Sequence, residues 1–178
     1  LTKGNITHTK ARKDAQKEGV HVIALPESHL DNFFLANGWN CDFEKTKPQI
    51  ERLAQALTDA NKARVHTEDG TDIEMSIKGR NGRALTGYGN SIDVSAGYCL
   101  ESSLAPVEGT ANGTIIVNTS VPGLCLIKEK NIEIKIKDGL ATDINGGKEA
   151  EAFRNLLKSF NDDKVYNLGE LGVGMNPE

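Results

Sequence analysis

Two stretches of this chain set carboxylates among apolar residues and Gly-rich turns, an arrangement suited to holding a cation. They are Leu100-Glu101-Ser102-Ser103-Leu104-Ala105-Pro106-Val107-Glu108-Gly109 and Leu168-Gly169-Glu170-Leu171-Gly172-Val173-Gly174. An isolated charge in apolar surroundings is costly, so a carboxylate there must be ion-paired, hydrogen-bonded or bound to a metal. Glu170 is the more telling of the acids. Leu168, Leu171 and Val173 surround it, and the small glycines allow close backbone approach. Spacing alone leaves two readings open: metal ligands, or buried acids that cap backbone N–H groups or pair with Lys and Arg.

Other chemistries find little footing. His8, His21, His29 and His66 form no HxxxH or HExxH spacing, and none lies beyond residue 66. There is no GxSxG elbow, no Walker loop and no GxGxxG that opens a helix. Cys41, Cys99 and Cys125 are odd in number and far apart, which argues against a disulfide framework and for reduced thiols. A net charge of −4, a pI of about 5.6 and 5% aromatic residues offer neither a basic stripe nor a stacking platform, so nucleic acid is excluded as the main partner. No apolar stretch approaches the roughly 20 residues that cross a bilayer, and the first residues do not read as a signal peptide. A cytoplasmic setting and a small partner are expected.

The elements that must position these acids come from patterning. With 178 residues, 38% hydrophobic and 26% charged, the chain can bury a core as one domain or two small ones. Residues 9–18 are rich in helix formers, and Val20 to Leu25 reads as a short buried strand that ends at Pro26. A helix is predicted over Ser28–Ala36. A clearer one follows with Thr46 near its cap, Pro48 in its first turn, and a stripe of Ile50, Leu53, Ala54 and Leu57. The period then changes to two. Val65 and Thr67, then Ile73, Met75 and Ile77, flank Asp69-Gly70 as one hairpin, and Ile132, Ile134 and Ile136 lead through Asp138-Gly139 to Leu140, Thr142 and Ile144 as another. Thr114 to Val117 is a further strand, and a last helix after Gly146-Gly147 buries Phe153, Leu156, Leu157 and Phe160. The fold class is mixed α/β, with a partial α/β domain over 1–62 and a strand-rich domain over 63–178. The Gly-rich Asn-Pro ending suggests a fragment.

Several runs resemble one family. Thr7-His8-Thr9-Lys10-Ala11-Arg12-Lys13-Asp14-Ala15, the strand up to Pro26, Glu68-Asp69-Gly70-Thr71-Asp72-Ile73 and Ile77-Lys78-Gly79-Arg80 look like the core of the aminopeptidase T group of metallopeptidases. That group also contains 2,5-dihydroxypyridine ring-cleaving dioxygenases. The most specific pieces are Ala105 to Thr114 and Gly169 to Pro177. The resemblance implies a metal-dependent aminopeptidase with two divalent ions, zinc, cobalt or manganese, that activate water against an N-terminal peptide bond. By the Glu-x-x-x-Ala-Pro motif Glu101 would be a metal ligand, by Gly-Glu-Leu-Gly Glu170 would be another, and Glu108 would stand behind them as a supporting acid. The family's downstream His-x-Asp and partner His are not found in the chain, so the piece alone is expected to be nearly inactive.

The resemblance also implies a homodimer acting on a peptide or small molecule. Two alternatives accompany the peptidase: a non-heme iron dioxygenase of the sister branch, whose metal would sit in a two-histidine, one-carboxylate triad, and a degenerate member that binds without catalysis.

Overall fold

The computed structural model describes residues 9–24, 37–89, 99–122 and 124–176. Through them run α1 (Lys10–Lys17), α2 (Phe43–Asp59), β1 (Lys62–His66), β2 (Asp72–Ser76), β3 (Arg83–Leu85), β4 (Glu101–Leu104) and β5 (Asn112–Val117). The chain continues with β6 (Ser120–Val121), β7 (Cys125–Leu126), β8 (Ile132–Lys137), β9 (Leu140–Asn145), α3 (Lys148–Ser159) and β10 (Leu171–Gly174). The fold is mixed α/β. Its contacts divide into two compact units, each assembled from separate stretches of sequence: Leu1–Asp59, Asn81–Leu104 and Leu171–Glu178 in the first, Ala60–Arg80 and Ala105–Glu170 in the second.

The second unit is built on the two hairpins that the period-two pattern announces. Its sheet is antiparallel throughout, in the order β1-β2-β5-β8-β9. Ile73, Met75 and Ile77 on one hairpin, and Ile132, Ile134 and Ile136 on the other, are buried, while the charged residues between them face water. Asp138 and Gly139 both take positive φ, 49° and 77°, as a tight two-residue turn between antiparallel strands requires. Gly113 is needed for a different reason. Its φ is 143°, and a Cβ there would stand 2.2 Å from the Asp72 carbonyl oxygen on the neighbouring strand. Helix α3 begins where expected, with Glu149 and Glu151 in the first turn, where the helix dipole favours acids. Its burial is shallower than expected. Ala150 is fully buried, but Phe153, Leu156 and Leu157 are half-buried and Phe160 is exposed.

In the first unit α2 lies against a three-stranded antiparallel sheet of order β10-β4-β3. Its stripe buries Ile50 completely in a cluster with Cys41 and Leu100, flanked by Phe43, Ala84 and Met175. The helix starts earlier than Thr46 because Asp42 is the stronger cap. The Asp42 carboxylate accepts from the Lys45 amide at 3.0 Å and its carbonyl from the Thr46 amide at 2.9 Å. Pro48 therefore sits in the second turn rather than the first. Just before β3, Gly82 lies close against the helix: a Cβ there would be 2.2 Å from the Ala54 carbonyl oxygen, and the Gly82 amide donates to Thr58 Oγ1 at 2.9 Å.

The buried strand expected from Val20 onward is corrected in its described part. Ile23 makes an isolated bridge, and Ala24 is buried but Val20 and Ile23 are exposed, since apolar character alone does not make a run a buried strand. Leu25, Pro26 and the helix expected over Ser28–Ala36 lie outside the described residues. No helix among the described residues is long and apolar enough to cross a membrane.

Replacing Gly113 by Ala is expected to destabilise the protein by about 2–4 kcal/mol, since the added carbon meets backbone that cannot yield. Gly169→Ala meets no described atom within 4 Å and should be nearly neutral. Urea denaturation of both variants checks the contrast.

Candidate functional site

Glu101 opens β4, the central strand of its sheet. Successive residues of a strand face opposite sides. Leu100 on one side joins the core cluster against α2, together with Ala84 and Met175. Glu101 and Ser103 therefore face the other side, with Gly174 paired opposite Glu101 and Gly172 opposite Ser103 on β10. Glu101 is half-buried and Ser103 fully buried. The Glu101 side chain leans along the sheet. Its Oε2 lies 3.6 Å from the point where a Cβ of Gly172 would be, and is the one described atom within 4 Å of that point. Cys99 belongs to the same end of the strand and is exposed. Shielding from water, and then the charge of Glu101, hold its thiol above the ordinary cysteine range, which makes it a poor nucleophile.

The other two acids occupy different settings. Glu170 is exposed, not enclosed by Leu168, Leu171 and Val173, and it immediately precedes β10. Residues 171–174 pair with residues 104–101 in reverse order, so Glu101 stands at the Gly174 end of that ladder while Glu170 adjoins its Leu171 end. Glu108 is exposed in the second unit, where its carboxylate accepts from Arg80 Nη2. Its own backbone amide and then Arg80 hold the Glu108 carboxyl below the usual carboxylate range. Around it the Val107 amide donates to the Ser76 carbonyl at 2.8 Å, the Thr110 amide donates to the Val107 carbonyl at 3.3 Å, and Gly109 takes φ of 76°. The Pro106-Val107-Glu108-Gly109 segment is thus a pinned turn.

Among the described residues no three His, Cys, Asp or Glu side chains converge as a metal-ligating group. These residues do not by themselves fit either the two-metal site implied by the resemblance or a three-ligand site. An apolar recess in the second unit, lined by Ile134, Ile136, Phe153, Leu157 and Tyr166 among others, has no acid, histidine or cysteine in its wall and offers no alternative centre. Sequence reasoning gave no role to Ser103 or Arg80. For Arg80 a signal was present, since it closes the shared run Ile77-Lys78-Gly79-Arg80. For Ser103 there was none, because its neighbours across the sheet come from distant sequence.

A family model described as "NicX: 2,5-dihydroxypyridine 5,6-dioxygenase" matches residues 2–178. The chain belongs to this family. A curated 2,5-dihydroxypyridine 5,6-dioxygenase from Pseudomonas putida KT2440 is 36% identical over 142 residues, covering 75% of this chain and 39% of that protein. The solved 2,5-dihydroxypyridine dioxygenase from Pseudomonas putida KT2440 superimposes with a TM-score of 0.79 at 21% identity, over 96% of this chain and 48% of that one, and so shares the fold. Wild-type AmpT from Thermus thermophilus aligns with a TM-score of 0.48 at 19% identity, over 74% and 34% of the two chains, a likeness too slight to bear on function. The chain spans less than half the length of these relatives.

The expectation of a hydrolytic metalloaminopeptidase is overturned by the family match and the curated relative, both of which fall in the dioxygenase branch. The match falls instead on the ring-cleaving dioxygenases that the resemblance had set beside the peptidase. Zinc, cobalt and manganese were tied to the peptidase and lose their support with it.

The Glu108 carboxyl should titrate below the ordinary carboxylate range, and Arg80→Gln should move it only part of the way back, because the hydrogen bond from its own backbone amide stays in place. A carboxyl lowered in the folded state adds stability above its ordinary pKa and loses that contribution as pH falls through the folded value. Carbon-detected NMR titration of both proteins reads the shift directly.

Proposed function

We propose that this chain forms part of a metal-dependent ring-cleaving dioxygenase that acts on 2,5-dihydroxypyridine or a closely related hydroxylated pyridine. The observation that carries the reading is the family match across residues 2–178, supported by 36% identity to a curated enzyme of that activity. The reaction class follows from its name. Both atoms of dioxygen end on the two ring carbons whose bond breaks, so the product gains the mass of one O2. Iron is the metal this reading expects, because a ferrous centre with open positions can take both an oxygenated ring and dioxygen.

Within this chain the contribution assigned to Glu101 is that of a site carboxylate. It is half-buried, stands on the sheet face away from the α2 core, and leans over a row where β10 carries glycine. A fixed carboxylate there can accept the proton of a ring hydroxyl or orient a group that does. Glu108 fits a structural part, since Arg80 already engages it. Glu170, the last residue of the second unit, has no step assigned to it. A homodimer is the assembly this reading carries over from the family resemblance, and the cytoplasm is the setting proposed for it.

The full-length protein, reconstituted with ferrous iron, should consume oxygen stoichiometrically with 2,5-dihydroxypyridine. Its product should contain both atoms of isotopically labelled dioxygen by mass spectrometry. Amino-acid amides should not be hydrolysed, and a chelator should abolish turnover. Glu101→Gln should lower kcat/KM by about 10–100-fold, as loss of a supporting site residue typically does. Oxygen uptake with no dependence on dihydroxypyridine, or none at all in the iron-loaded protein, would sink the assignment.

A further inference from the structure

Ser103 lies on the central strand with its side chain fully buried, yet among the described residues its hydroxyl has no hydrogen-bond partner. Its neighbour Ser102 is equally buried but satisfied, its Oγ donating to the Arg83 carbonyl at 3.1 Å. Leaving a buried hydroxyl unsatisfied is costly, so such groups in a folded protein are few and each calls for an explanation. The row that contains Ser103 indicates one. Directly across the ladder is Gly172, and residues so paired point to the same face with Cβ positions about 4.5–5.5 Å apart. Gly172 has no side chain, and the atom reaching into the space it leaves is Oε2 of Glu101, which belongs to the adjacent row. A donor without an acceptor and a carboxylate leaning out of its own row thus flank one small gap.

We infer that Ser103 is a positioning residue for Glu101, its hydroxyl donating to the Glu101 carboxylate across the gap at Gly172 when substrate is bound. A rotation about the outer bonds of Glu101 closes the distance with no backbone movement, since those torsions are the soft ones of the side chain. A carboxylate accepts at about four sites, so it can take the Ser103 proton while keeping contacts it already makes. The bond fixes which way the carboxylate faces. Gly172 is required because a branched side chain there would occupy the path between the two groups.

This inference rests on the dioxygenase reading for its substrate, but its decisive tests do not all depend on turnover. Ser103→Ala removes a donor that is unsatisfied at rest. Its melting temperature should equal or exceed that of the wild type, while kcat/KM for 2,5-dihydroxypyridine falls by about 10–100-fold. A second variant, Gly172→Val, places a strand-favouring side chain at an exposed position and should give a similar loss of activity with the fold intact. A Ser103→Ala protein that melts lower and keeps full activity would show that the hydroxyl is merely structural. A crystal structure of the full-length protein with 2,5-dihydroxypyridine under anaerobic conditions should show Ser103 Oγ bonded to Glu101 directly, within about 3.2 Å, or through one water. Ser103 paired elsewhere and remote from Glu101 would overturn the inference whether or not the enzyme turns over. Absence of turnover in the wild type would instead count against the function proposed above.

Discussion

Strand β4 is the constraint on which the rest of the first unit depends. Buried backbone N–H and C=O groups must be paired, and a four-residue strand in the middle of a sheet needs partners on both sides. One partner, β3, precedes it in the chain; the other, β10, arrives only after the whole of the second unit has been traversed. Until residues 171–174 return, β4 is an edge, and Glu101 and Ser103 lack the face on which they stand. The amide of Met175 donating to the Leu100 carbonyl at 2.8 Å extends the same ladder and brings Met175 to the core cluster around Ile50. The sheet that carries the candidate carboxylate is therefore completed by the segment that also carries Glu170.

That dependence explains which parts were legible in sequence. Both hairpins were, since Ile73, Met75 and Ile77, and Ile132, Ile134 and Ile136, alternate with charge and turn on residues suited to positive φ. Local information sufficed. The stripe of α2 was equally plain, although the helix begins at Phe43, most of a turn before Thr46. The β10-β4-β3 sheet was not visible, because Glu101-Ser102-Ser103-Leu104 has no alternating pattern and its partner is about seventy residues away. Val20 to Ala24 failed the other way, being apolar enough for a strand yet forming only an isolated bridge, with Val20 and Ile23 exposed.

The choice of the peptidase over the dioxygenase was misjudged for a related reason. The segments that carried the resemblance are largely structural hardware: Pro106-Val107-Glu108-Gly109 is a turn clamped by Arg80, and Leu171-Gly172-Val173-Gly174 is the strand that closes a sheet. Motifs of that kind report a shared scaffold and say little about whether a carbonyl is hydrolysed or a ring opened. The deciding information came from similarity spread across residues 2–178. Glu101 was legible as a carboxylate worth attention. Its setting beside a buried, unpartnered hydroxyl and a glycine row was not, because that setting exists only across the ladder.

The outer strand of the larger sheet carries its own consequence. On β1 and β2, Arg64 grips Asp72 through two nitrogens at 2.8 Å each, and Lys62 meets Glu74 at 2.9 Å. These pairs add little to stability in such exposed positions. Their effect is on neighbours in solution: a foreign strand seeking to dock along β1 would have to strip water from a row of cations and anions. A five-stranded sheet with an open margin can in this way stay discrete in a crowded cell, its growth into stacked assemblies checked by side chains that contribute almost nothing to the fold itself.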